Sequence, residues 1–95
     1  MDISTNSNRI IIEGNIKSVS DYQTIKSTID SVIATNKSII IEIKDSLSLT
    51  SSVIGYLNMI ILKNKISVQM LIGDSELYDL LHDLNLASVF NAKKA

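Results

Sequence analysis

Isoleucine crowds into three short runs, and their placement limits the chain more than any other feature. The runs are Arg9–Ile12 (RIII, carried on by Glu13 before Gly14), Ser38–Ile43 (SIIIEI) and Ile66–Ile72 (ISVQMLI, closed by Gly73). Isoleucine is branched at Cβ and stiff at χ1, so such clusters favour pleated strands over surface helices. Each run has strand length. Near-continuous apolar runs, rather than strict alternation, are expected of strands covered on both faces, as inside a parallel or mixed sheet packed with helices.

Between the runs the apolar residues fall at helical spacing. Ser18-Val19-Ser20-Asp21 supplies a capping residue with an acid three positions on, and Tyr22, Ile25, Ile29, Val32 and Ile33 then share one helical face. A second helix is expected from Thr50-Ser51-Ser52, turning Val53, Ile54, Leu57, Ile60 and Ile61 to the core and stopping near Lys63-Asn64-Lys65. A third opens at Asp74-Ser75-Glu76 and buries Leu77, Leu80, Leu81 and Leu84, with Leu86, Val89 and Phe90 packing as a short terminal turn or helix. Asp2 to Thr5 can add a short edge strand through an Asn6-Ser7-Asn8 turn within residues 1–8, and 91–95 read as a frayed tail. Alternation of strand and helix with short connections makes successive strands parallel neighbours joined by right-handed crossovers. The expected fold is α/β: one domain over residues 1–95, a small, largely parallel mixed sheet with three to four helices.

Composition then removes function classes. A chain of 95 residues, 45% apolar and without proline, allows one folded domain and no more. Ten acidic against nine basic residues leave a net charge of -1, which gives no field for a nucleic-acid backbone. Without cysteine there is no disulfide, thiol nucleophile or thiolate metal site, and His82 alone makes no imidazole cluster. His82 lies between Leu81 and Asp83, off the leucine stripe, and reads as a solvated surface residue. No G-x-S-x-G elbow is present, and Gly14, Gly55 and Gly73 are too scattered for a phosphate-cradling loop. Asp74, Glu76, Asp79 and Asp83 are spaced as a charged solvent face, and Asp45 stands alone. No catalytic, cofactor or metal constellation is expected, so the chain reads as a non-enzyme. No leader-like segment opens it and no apolar run approaches the roughly 20 residues of a membrane span, which reads as a cytoplasmic protein without direct membrane insertion.

What remains is Asp45–Ser52 (DSLSLTSS), where four of eight residues are serine. It follows the carboxyl end of the central strand and leads into a helix, where open α/β sheets tend to place ligands and partners. Within Ile41–Leu57 (IEIKDSLSLTSSVIGYL), this strand, loop and hydroxyl-rich helix start resemble the acid-Ser-Ser-Gly-Leu-Gly motif of STAS domains, including bacterial anti-sigma factor antagonists. Ile54-Gly55 stands for its Leu-Gly, Thr50 for its aspartate, Ser51 and Ser52 for its serines and Val53 for its first glycine. Met70–Phe90 (MLIGDSELYDLLHDLNLASVF) is similar to the closing strand, polar turn and leucine-rich helix of the same family, so the resemblance covers nearly the whole chain.

The resemblance implies a protein-binding module that regulates transcription or signalling by partner switching. Its partner would be an anti-sigma factor acting as a serine kinase, with a phosphatase restoring the serine. By position the phosphorylated residue is Ser51, with Ser52 as runner-up, and the contact surface comprises Ser48, Thr50, Ser51, Ser52, Val53, Gly55, Tyr56 and Met59. A hydroxyl at a helix start is exposed, and about two added negative charges would alter any surface docked around it. Two departures from the motif matter: Thr50 replaces its acid, and Val53 places a branched side chain where the family keeps glycine. The lost acid favours a second reading, a non-phosphorylated STAS subunit of a membrane-associated complex such as an ABC-type lipid transporter.

Overall fold

In the computed structural model, which describes residues 1–95, the isoleucine runs form three neighbouring strands of a five-stranded sheet. In chain order the elements are β1 (Asp2–Asn6), β2 (Arg9–Glu13), α1 (Val19–Ile33), β3 (Ser38–Ile43), α2 (Ser51–Leu62), β4 (Ser67–Ile72), α3 (Ser75–Asp83) and β5 (Ala92–Lys94). Strand order follows the sequence, β1-β2-β3-β4-β5. β1 is antiparallel to β2, and the other pairs are parallel. The hairpin from β1 to β2 closes on Ser7-Asn8, with Ser7 at φ 58° and Asn6 opposite Arg9. The α/β architecture and the largely parallel sheet match the expectation from sequence.

The residues explain the helix starts. Ser18 accepts the Asp21 N–H while Asp21 receives the N–H groups of Lys17 and Ser18, a full capping box on α1. Those two backbone donors hold the Asp21 carboxyl below the usual carboxylate range. Thr50 caps α2 and Asp74 caps α3 in the same way, each through the N–H three residues on.

Burial alternates strictly along the central strands. Ile10 and Ile12, Ile39, Ile41 and Ile43, and Val68, Met70 and Ile72 are buried, whereas Ile11, Ile40, Glu42, Gln69 and Leu71 between them are only half-buried. The helices therefore cover one face of the sheet, which corrects the expectation of strands covered on both. The cause is topological: when strand order follows the chain, each right-handed crossover steps the same way across the sheet and leaves its helix on the same side. The core of 21 hydrophobic residues lies wholly in that single layer.

Further corrections concern the C-terminus. Residues 91–95 do not fray: Ala92–Lys94 pairs with β4, the Met70 N–H donating to the Asn91 carbonyl at 3.3 Å and the Ala95 N–H to the Ile72 carbonyl at 2.8 Å. The fully buried Phe90 ring and Asn91 at φ 51° steer the chain into the sheet. Leu86 to Phe90 form hydrogen-bonded turns, so there are three helices and no fourth. Leu80 and Leu84 are exposed rather than buried, because α3 sits over the sheet edge and only Leu77 and Leu81, one turn apart, reach the core. Val89 is exposed as well.

Candidate functional site

The serine-rich loop between β3 and α2 lies at the carboxyl ends of the parallel strands, beside the loop from β2 to α1. Three hydrogen bonds stitch the two loops together. The Gly14 N–H donates to the Asp45 carboxylate at 2.7 Å, the Ile16 N–H to Ser46 Oγ at 3.0 Å and the Leu47 N–H to Asn15 Oδ1 at 3.0 Å. Ser46 is the one polar residue in the protein that is fully buried, and its hydroxyl donates onward to the Ser48 carbonyl at 2.8 Å. The first part of the serine-rich segment is thus framework. Its second part, Ser48, Ser51 and Ser52, stands exposed.

Because Thr50 Oγ1 accepts the Val53 N–H at 3.3 Å, Ser51 and Ser52 are not needed to cap α2. The first turn of α2 carries no acid, so a phosphate on Ser51 would meet a helix N-terminus without a like charge from its own first turn. α2 is SSVIGYLNMIIL, without a single charged side chain. Its outer face presents Ser51, Ser52, Gly55, Met59 and Leu62 at helical spacing, with Leu62 68% and Met59 40% exposed. A Cβ at Gly55 would meet no atom within 4 Å, so close packing inside the chain is not the reason for that glycine.

Two of the residues assigned to the contact surface face inward. Val53 is 2% and Tyr56 5% exposed, both part of the core. Tyr56 instead ties α2 to α1: its hydroxyl donates to the Asp30 carboxylate, which also holds Lys26 Nζ at 2.9 Å. Lys26 Nζ lies 5.6 Å from the centre of the tyrosine ring. Burial first, then Asp30, push the Tyr56 phenol above its usual range, while the tyrosine hydroxyl followed by Lys26 holds the Asp30 carboxyl below the usual one. The exposed surface carries Ser48, Ser51, Ser52, Gly55 and Met59, with Thr50 half-buried at the cap.

Beside the start of α2 lies a cavity of 240 Å³ lined by Lys17, Ser18, Val19, Tyr22, Thr50 and Ser52, where the first turns of α1 and α2 meet. Val19 and Leu47, 73% and 51% exposed, stand at this end of the molecule and were not singled out by the sequence. Only their departure from any apolar stripe could have marked them. His82 is exposed and packs edge-on against Tyr78, ring centres 4.6 Å apart. No three His, Cys, Asp or Glu side chains gather as a metal site, and no helix is long and apolar enough to cross a membrane. Compared with protein-family models, curated proteins and solved structures, the chain matches none.

Proposed function

We propose that this chain is a protein-docking module of the STAS type, resembling the anti-sigma factor antagonists. Its contact surface is the outer face of α2 with Ser48, and it is switched by phosphorylation of Ser51. The observation that carries this reading is the character of α2: a surface helix with no charge, an open glycine and an exposed stripe from Ser51 to Leu62. Solvent-facing helices normally carry charged residues, whereas the centres of protein interfaces are depleted in them. Gly55 costs about 1 kcal/mol in a helix relative to alanine, and the close approach of a partner backbone gives it a use. A phosphate on Ser51 would add about two negative charges to a surface that has none, so binding switches off by desolvation and clash without α2 melting.

Intact mass of the protein taken from its own cell, before and after phosphatase, tests the switch: a species heavier by about 80 Da, mapped to Ser51, is expected. With the kinase partner in hand, Ser51→Ala should bind as wild type and Ser51→Asp more weakly. Equal affinity for all three would sink the switch. Thr50, where the family motif carries an acid, favours the second reading, an unmodified subunit of a membrane-associated transport complex. That reading is selected by co-purification with an ATPase subunit and no phosphoserine.

A further inference from the structure

The face of the sheet opposite the helices has nothing on it. Parallel strands are seldom left so, because their crossovers normally supply helices to both faces. Here Ile11 on β2, Ile40 on β3 and Leu71 on β4 are half-buried on the open face, and none of the three packs against the core. All the helices are already placed on the other side.

The strand registers lay this face out in rows. One row runs Ser4, Ile11, Glu42, Leu71, Lys93, and the next runs Asn6, Arg9, Ile40, Gln69. Asp2 pairs with Glu13 at the β1 side, both exposed, whereas the β5 side carries the exposed Lys93. Ile11 and Leu71 flank β3, the middle strand, in one row; the two acids of the β1–β2 side outnumber its one cation, Arg9, whereas the β4–β5 side carries Lys93 and no acid.

We propose that a second copy of this chain covers the face, related by a two-fold axis running along β3. That rotation exchanges β2 with β4 and β1 with β5. It sets Ile11 over Leu71 of the second copy, Ile40 over its own counterpart, and the acidic edge of Asp2 and Glu13 within a lysine's reach of Lys93. A two-fold axis across the strands would instead lay the acidic edge on itself. Glu42, which like Ile40 meets its own counterpart on the axis, is held by Arg9 at 2.9 Å on the same face, which neutralises it where the copies meet. Strands about 4.8 Å apart and five residues long make this face at most half of the roughly 800 Å² per partner of a standard interface, so association is weak and concentration-dependent.

Sedimentation velocity over about 10 μM to 1 mM protein tests it, that range spanning the affinities expected of so small an interface. The mass of the wild type is expected to rise toward the dimer, while Ile40→Lys, with an unchanged circular dichroism spectrum, stays a monomer throughout. A wild type that remains monomeric at the highest concentration, or an Ile40→Lys variant that dimerises like it, overturns the proposal. Lys93→Glu, at an exposed position, guards against misfolding of the first variant. It should weaken association at least fivefold, and adding Glu13→Lys should restore it. Loss without restoration overturns the assigned axis. None of these readouts involves α2 or Ser51.

Discussion

Single atoms decide how the loops of this protein meet. A Cβ at Gly73 would overlap the carbonyl oxygen of Lys44, a rigid backbone atom, while the Gly73 N–H donates to the Ile43 carbonyl at 2.9 Å. Gly73→Ala must therefore push β3 and β4 apart at their carboxyl ends, and a loss of about 2–4 kcal/mol is expected in urea unfolding. Ser46→Ala would strand the buried Ile16 N–H, with an expected loss of about 1–3 kcal/mol. The Tyr56–Asp30 bond gives a test with a sign. The Tyr56 phenol is raised in the folded protein, so its contribution is full below the unfolded value of about 10 and is lost as pH rises past it. Asp30 is lowered, so its smaller, solvent-screened contribution is present above about pH 4 and is lost as pH falls. Tyr56→Phe should cost about 1–2 kcal/mol at pH 7 and flatten the alkaline decline, both read from denaturant midpoints between pH 7 and 11.

At the scale of elements, α2 trades stability against exposure. Nothing surrounds Gly55, so Gly55→Ala is expected to stabilise the protein by about 0.5–1 kcal/mol, read as a higher urea midpoint; under the proposed function it also weakens the partner. The start of this helix could be read in the sequence from Thr50-Ser51-Ser52, but which hydroxyl caps it could not, because threonine and serine both serve. Position in the motif places Val53 on the surface and the place beside Gly55 does the same for Tyr56, while α2 in the fold turns both toward α1 and the sheet. The strands of β2, β3 and β4 were legible because β-branched runs between turn residues have few alternatives. β5 was not: Ala-Lys-Lys has one small apolar residue and little β-propensity, and it is a strand because Phe90 is anchored and β4 offers an open edge.

Across the whole molecule, stability should grade from the middle of the sheet outward. β3 has hydrogen-bonded neighbours on both sides and its three inward isoleucines are at most 2% exposed, whereas β1 and β5 each have a free edge. Native-state hydrogen exchange is expected to show the slowest amides in β3 and β4, with β5 and β1 exchanging orders of magnitude faster. Uniform protection across all five strands would contradict this. The stitched loops at the carboxyl ends should be protected beyond what loops normally show, since Gly14, Ile16 and Leu47 donate to side chains of the other loop.

By itself the sequence determined the fold class, the three main strands, the three helices and the place of the serine-rich loop at the carboxyl end of the central strand. Each follows from local chemistry: β-branching, helical spacing and capping residues. Only the tertiary structure decided which side of each element faces inward. A run such as Ile39-Ile40-Ile41 looks alike on both faces, and strand order alone left one of them bare. It also decided that Ser46 supports the loop while Ser51 faces outward, because burial and hydrogen-bonding partners come from residues some 30 positions away in the chain.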